Sequence, residues 1–367
     1  MATIKLINIV KKFGKLAAVN NLSLEIRDKE FVVLLGPSGC GKTTTLRSIA
    51  GLETIDEGEI LIDGKVVNNV RASERDIAFV FQLYALYPHL TAYNNIAFPL
   101  KAQRVPKIEI KTRVNDVVKM LEIEHILNKK PRELSGGDMQ RVALGRAIVR
   151  RPKVFLMDEP IGTLDTYFRE QMRSDLARLH LDIGATTVYV THDQVEAMSM
   201  GNRIAIMDSG VLQQIGTPLE IYNSPANLFV ANFIGSPGMD FVNCRYIKES
   251  ADNYGLQFIS SKLIIKIPDN LCSRITEKNL GDNILILGIR FEDIKVNSQK
   301  MDDFLQGKVY VCEQIGPYNI INIKIGEDII KAKSLPSFRP EVGSKIWFNL
   351  DTNRIHIFDK NTGLAIT

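Results

Sequence analysis

The eight residues GPSGCGKT, Gly36–Thr43, follow the apolar run EFVVLL and open the helical pattern KTTTLRSIAGL. A strand, a glycine-rich turn with the spacing G-x-x-x-x-G-K-[ST] and then a helix form a β–loop–α unit whose backbone amides turn inward around an anion. Gly36, Gly39 and Gly41 permit the tight turn. Pro37, Ser38, Cys40 and Thr44 complete the cradle, and the helix N-terminus adds partial positive charge. Lys42 is placed to bridge the β- and γ-phosphates of a nucleotide, and the Thr43 hydroxyl suits Mg²⁺. The runs DIAFVFQ (76–82), KVFLMDEP (153–160) and TTVYVTHD (186–193) are almost continuously apolar. Such runs fit the central strands of a parallel sheet covered on both faces.

Ligands of an open parallel sheet bind at the carboxyl ends of its strands, so the residues closing these runs carry the chemistry. Asp158 is expected to hold the metal, and Glu159, the next residue, to polarise a water for in-line attack on a γ-phosphate. His192 ends the last strand, where an imidazole can contact that phosphate and steady the water or Glu159. Gln82 ends another strand with an amide suited to Mg²⁺ or the attacking water. From Ala92 to Lys130 the pattern turns helical, with IKTRVNDVVKMLEI strongly amphipathic. Beyond that lies LSGG (134–137), a second glycine-rich helix start, with Ser135 as N-cap.

Bulk properties narrow the class. Lys and Arg number 46 against 42 Asp and Glu, a net charge of +4 that is too weak to argue for a nucleic-acid partner. Cys40, Cys244, Cys272 and Cys312 form no CxxC pair and read as free thiols in a reducing cytosol. MATIKLINIVKKFGK lacks a long apolar segment and a cleavage site, so it is not read as a signal peptide. No stretch approaches the roughly 18 apolar residues that span a bilayer. The chain is therefore expected in the cytoplasm unless a partner holds it at a membrane.

The motifs in this order resemble the ATP-binding subunits of ABC transporters over nearly the full length: the glycine loop matches Walker A, Gln82 the Q-loop, LSGG the signature, VFLMDEP Walker B, and THD the H-loop. The resemblance implies an α/β P-loop NTPase with a helical subdomain at about 85–150, and ATP hydrolysis with Mg²⁺ as cofactor. It also implies a head-to-tail dimer, taken as a homodimer, in which Ser135, Gly136 and Gly137 meet the γ-phosphate bound by the partner chain. That answers why one chain carries two anion sites. Lys42, Glu159 and His192 take the catalytic roles, Thr43, Gln82 and Asp158 the metal, and Phe13 the adenine ring. Two permease subunits and an external solute-binding protein complete the assembly, which places the chain peripherally on the cytoplasmic face of the inner membrane.

The segment VFQLYALYPHLTAYNNIAFPLK (80–101) is similar to the permease-facing region of the maltose-type carbohydrate importers, which marks Tyr84, Leu86, Tyr87 and Pro88 as the docking patch. Turn formers cluster at FIGSPGMDF (233–241), and short strands follow. The boundary is set there, giving a nucleotide-binding domain at 1–235 and an all-β regulatory domain of oligonucleotide/oligosaccharide-binding (TOBE) type at 236–367. The implied solutes are maltose, trehalose, other oligosaccharides or glycerol 3-phosphate. Import of polyamine, ferric ion or sulfate is the alternative, and a permease-free ABC ATPase or a nucleotide-dependent regulator stands behind it. Departures from the family pattern are Phe13 for tyrosine, Asp138 for glutamine, Met139 for a basic residue, Gly162–Thr163 for Ser-Asn, and Phe291 for proline. A carboxylate at Asp138 would repel a neighbouring chain's nucleotide. None removes Lys42, Asp158, Glu159 or His192, so an active ATPase is expected.

Overall fold

The computed structural model describes residues 2–250, 253–278, 280 and 284–366. These fall into two compact units, Met1–Leu219 and Glu220–Thr367.

The first unit contains two sheets. In the smaller, β1 (Ile4–Phe13) and β2 (Leu16–Ile26) pair antiparallel, and β1 also pairs with a strand described below. β3 (Phe31–Leu35) leads through the glycine loop into α1 (Lys42–Ala50). Arg75 donates to the Ser48 and Ile49 carbonyls at 2.9 Å, satisfying the C-terminal end of α1. β4 (Glu57–Ile62) and β5 (Lys65–Val66) complete the smaller sheet, whose order is β2-β1-β4-β5. β6 (Ile77–Val80) then returns to the larger sheet.

The helical subdomain comes next: α2 (Ala92–Ala102), α3 (Lys107–Met120) and α4 (Gly136–Ile148). α2 and α4 approach closely at Gly145, where an added Cβ would lie 3.1 Å from Leu121 and 3.2 Å from Ile96. β7 (Val154–Asp158), α5 (Thr166–Ile183), β8 (Thr186–Thr191), α6 (Gln194–Met200), β9 (Arg203–Asp208) and β10 (Val211–Gly216) finish the unit. The six-stranded sheet runs β10-β9-β3-β8-β7-β6, parallel except for the β10–β9 edge. Every residue of β3, β7 and β8 is buried, as unbroken apolar runs require. One consequence of the order β3-β8-β7-β6 matters most. It sets Gly36, His192, Glu159 and Gln82 along a single edge, each just past its strand.

The second unit is mostly antiparallel. One five-stranded sheet joins Ile264–Lys266, Asn253–Phe258, Asp240–Ser250, Ile284–Ile289 and His356–Asp359 in that order. The other joins Ile294–Asn297, Lys345–Leu350, Leu305–Gln314, Asn319–Ile325 and Asp328–Ser334. Val242, Leu256, Leu285 and Leu287 of the first sheet share one apolar core with Ile321, Ile323, Ile346 and Phe348 of the second.

The compact unit begins at Glu220, ahead of the composition shift that set the boundary at 236. Arg290 supplies the physical reason. Its buried guanidinium donates to Ile234 O at 2.8 Å and Tyr222 O at 2.7 Å and stacks 3.7 Å from the Tyr222 ring. Residues 220–235 are thus fastened to the all-β unit by a side chain distant in sequence.

His356 titrates under this arrangement. Burial first, then the neighbouring Arg290 and Arg354 charges, push its pKa down from 6.5 to about 4. The folded imidazole is neutral where the unfolded one already binds a proton. The stabilising contribution of this group is therefore fully present above about pH 6.5 and is lost as pH drops towards 4. Urea unfolding of the full chain followed between pH 7.5 and 4.5 is expected to show this loss, and His356→Gln is expected to flatten it.

Candidate active site

The glycine loop is built by close approach. An added Cβ at Gly36 would lie 2.2 Å from Met207 O, and one at Gly41 would lie 2.2 Å from Ala18 O. Gly39 and Gly41 also have left-handed φ values of 80° and 102°. Lys42 is only 4% exposed, and its ammonium donates to Gly36 O and Pro37 O at 2.8 Å. The loop therefore curls around the lysine headgroup. Cys40 is buried beneath it, with a thiol pKa raised by burial against the lowering effect of Lys42. Ser38 and Gly39 are exposed at the tip, and Pro37, Thr43 and Thr44 are half-buried. Phe13 leaves half of its surface to solvent, with Lys11 Nζ 5.1 Å from its ring centre. An exposed aromatic face of this kind can stack on a purine.

Across the sheet, Thr43 donates its hydroxyl to Asp158 Oδ1 at 2.8 Å. Burial raises the Asp158 pKa, opposed by the Thr43 hydrogen bond and the Arg47 charge. A buried carboxylate with a single neutral donor is suited to a divalent cation, which restores the charge balance that burial opposes. Among the described residues no group of His, Cys, Asp and Glu forms a protein-only metal cage. A magnesium ion needs none, because phosphate oxygens and waters fill most of its shell. The donor set thus fits the group.

Glu159 sits in left-handed backbone, φ 44°, with its amide bonded to Val190 O at 3.0 Å. That conformation is strained for a non-glycine residue and aims the carboxylate out of the strand. Oε2 accepts from Gln82 Nε2 at 3.3 Å and lies 3.3 Å from His192 Nδ1. Thus Thr43, Asp158, Glu159, Gln82 and His192 form one neighbourhood along the sheet edge.

The second glycine-rich start lies elsewhere. Ser135 caps α4, accepting from Asp138 N at 3.1 Å, while its hydroxyl donates to Asp138 Oδ2 at 2.7 Å. An added Cβ at Gly136 would lie 3.3 Å from Leu164 and 3.6 Å from the Tyr84 hydroxyl, and one at Gly137 would lie 3.5 Å from Phe168. Among the described residues, Ser135, Gly136 and Gly137 share no hydrogen bond with the Lys42–Glu159 neighbourhood. The loop after Gln82 joins the two regions instead. Tyr84 and Ala85 both have left-handed φ, 53° and 48°, and Arg146 of α4 donates to their carbonyls at 3.0 and 2.6 Å. Arg146 also lies over the Tyr87 ring, which packs on Phe98. Tyr84 Oη bonds Thr163 Oγ1 at 2.8 Å, so its hydroxyl is engaged inside the chain. Leu83, which is not among the four residues of the expected docking patch, is 77% exposed, against 36% for Tyr87. Arg146 and the Tyr84–Thr163 bond escape a reading of the sequence, because each spans 60 residues or more and neither belongs to a motif.

Residues 19–162 match the family model described as ABC transporter. The trehalose/maltose import ATP-binding protein MalK of Thermococcus litoralis is 46% identical, with both chains covered completely. The chain belongs to the ABC transporter ATP-binding proteins. The osmoprotective compounds uptake ATP-binding protein GgtA of Synechocystis is 45% identical, again over both whole chains. Among solved structures, the dimeric, ADP- and Pi-bound cassette MJ0796 is similar at 37% identity and TM-score 0.53, covering 59% of this chain and 98% of that one. The cbiO1 protein of Clostridium perfringens is similar at 27% identity and TM-score 0.56, covering 59% and 89%. This ABC protein is therefore a nucleotide-binding ATPase that energises import, with a P-loop α/β cassette, a helical subdomain and an all-β C-terminal domain of oligonucleotide/oligosaccharide-binding type. Among the described residues no helix is long and apolar enough to cross a membrane.

The Ser135–Asp138 reciprocal cap can be tested apart from turnover. Asp138→Gln keeps a capping box without the charge and is expected to leave unfolding stability within about 0.5 kcal/mol. Asp138→Ala is expected to cost about 1 kcal/mol in the same urea titration.

Proposed function

We propose that this chain hydrolyses MgATP at two composite sites of a head-to-tail homodimer and so drives uptake of a carbohydrate such as a maltose- or trehalose-type oligosaccharide, or of glycerol 3-phosphate. The dimer engages two permease chains at the cytoplasmic face of the membrane, and an external binding protein delivers the solute. Full-length likeness to a trehalose/maltose import protein and to an osmoprotectant uptake protein supports the solute class.

One observation carries the chemistry: the Glu159 carboxylate faces Gln82 and His192 at 3.3 Å each, beside the Thr43–Asp158 pair. In the proposed reaction Lys42 leaves its loop carbonyls for the β- and γ-phosphates, where a buried ammonium offsets developing charge. Thr43 and Asp158 hold the magnesium, which supplies charge neutralisation at the phosphates. Glu159 accepts the proton of the attacking water, and Gln82 and His192 keep that carboxylate aimed at it. Phe13 stacks on the adenine. Ser135, Gly136 and Gly137 complete the site of the opposite chain with helix N-terminal amides. Before that contact forms, the Ser135 hydroxyl must give up Asp138, and the carboxylate opposes the incoming phosphate.

Glu159→Gln is expected to lower ATP turnover on the order of 10²- to 10⁴-fold, the usual worth of a general base, while retaining ATP and trapping the dimer. Lys42→Ala is expected instead to weaken ATP binding roughly ten- to a hundredfold, by loss of a charge-assisted contact. Single-turnover phosphate release, equilibrium binding and light scattering separate the two. A Glu159→Gln protein that turns over normally would remove the assigned base. In that background Asp138→Gln is expected to lower the ATP concentration for half-maximal dimerisation roughly fivefold.

A further inference from the structure

Arg169, in the first turn of α5, belongs to none of the motifs. Its Nη2 donates to two carbonyls of the 162–165 turn, Gly162 O and Leu164 O, each at 3.2 Å. Its Nη1 lies 3.6 Å from Asp193 Oδ2. Asp193 directly follows His192 and uses its other oxygen to cap α6, accepting from Val195 N at 2.7 Å and Glu196 N at 3.2 Å. The carboxylate is thus divided, one oxygen for the helix and one for the arginine.

The turn held by Arg169 leads back to Glu159. Gly162 N donates to Glu159 O at 3.2 Å, and an added Cβ at Gly162 would lie 3.6 Å from Glu159 Oε2. Since Glu159 Oε2 also faces His192, the contacts close a ring from Glu159 through Gly162, Arg169, Asp193 and His192 back to the carboxylate. One donor in the ring has no acceptor. Arg169 Nε is buried and has no hydrogen-bond partner among the described residues. A buried, unsatisfied donor on a charged group is costly, so a different setting of the 162–165 turn that offers it a carbonyl has something to gain. Such a guanidinium has reason to occupy two arrangements.

We infer that Arg169 is a positioning residue that couples the 162–165 turn to the His192–Glu159 pair, so that a displacement of the turn changes the distance between imidazole and carboxylate. The inference rests on the reading that Glu159 and His192 serve hydrolysis. Arg169 touches no residue assigned to nucleotide binding, so its loss should act on turnover and spare binding. The backbone at Asp193 is separately anchored by Thr191 Oγ1 at 3.0 Å. That bond should preserve the start of α6 when the arginine is removed.

The test is ATP turnover by the assembled transporter, over a range of ATP, for Arg169→Ala, Arg169→Lys, Asp193→Asn and the Arg169→Ala/Asp193→Asn double variant. Misplacement of catalytic groups by a fraction of an ångström is expected to lower kcat of Arg169→Ala on the order of ten- to a hundredfold, with KM and equilibrium ATP binding within about twofold of wild type. Lysine keeps the charge facing Asp193 but lacks the planar fork, so Arg169→Lys is expected to recover part of the rate. The double variant is expected to be no slower than the slower single one, because both changes break the same ring. Losses that multiply, or a KM that rises in step with the fall in kcat, would overturn the inference. Should Arg169→Ala not fold, Arg169→Lys and Asp193→Asn decide: lowered kcat at unchanged KM supports the coupling, and wild-type kcat in both overturns it. Glu159→Gln run alongside separates the two levels. If it is silent while Arg169→Ala is normal, only the coupling falls, and if it too is normal, the assignment of the base falls with it.

Discussion

Parallel pairing of β3, β8, β7 and β6 brings four strand ends to one edge, and the 2.8 Å bond from Thr43 to Asp158 locks the glycine loop to the middle of that edge. Every group assigned to the phosphates or the water hangs from this arrangement. Gly36 begins the loop past β3, His192 follows β8, Asp158 ends β7 with Glu159 just past it, and Gln82 follows β6. β3, β7 and β8 are buried along their whole length, so these ends are anchored in the packed interior. The candidate chemistry thus hangs from the ends of buried strands, on the short turns that follow them.

Two arginines reach the turns beside these strand ends. Arg146 gathers two left-handed residues after Gln82 and ties them to α4, the helix that Ser135 caps. Arg169 gathers the turn after Glu159 and ties it to Asp193. In the first case the guanidinium reaches the carbonyls of two left-handed residues, and in the second a single Nη2 donates to two carbonyls of the turn. In each, one side chain on a helix sets the position of the turn. Under the proposed function, the nucleotide state has to be felt by a permease and by the opposite ATPase chain, and turns held in this way are placed to carry it.

Much of the site is legible in the sequence because its physics is local. Gly36 and Gly41 have to be glycine where a Cβ would strike Met207 O and Ala18 O, and the spacing records that need. Asp158, Glu159, His192 and Gln82 announce themselves by ending apolar runs. Asp138 was legible as a departure, but its bond to Ser135 shows it doing the work of a helix cap as well as adding charge. Arg169 and Arg146 were not legible. An arginine on an amphipathic helix looks the same in sequence whether it faces water or reaches a carbonyl in a distant loop. The start of the second unit was hidden for a similar reason. Turn formers near Gly235 mark a change of texture, yet Arg290 fastens the preceding residues from far along the chain.

The central claim is that each triphosphate is completed by Ser135–Gly137 of the opposite chain, and mixed dimers test it directly. Lys42→Ala spoils the loop, and Gly137→Asp spoils the cap helix, at a position where an added Cβ meets only ordinary contact with Phe168. Neither homodimer then contains an intact composite site, whereas the heterodimer contains one. The measurement is ATP retained per dimer after rapid gel filtration of separately tagged, co-purified chains, with Glu159→Gln in both to prevent turnover. The account predicts about one ATP per heterodimer and almost none in either homodimer. A heterodimer as empty as its parents would show that the composite site does not form between chains, and would contradict it.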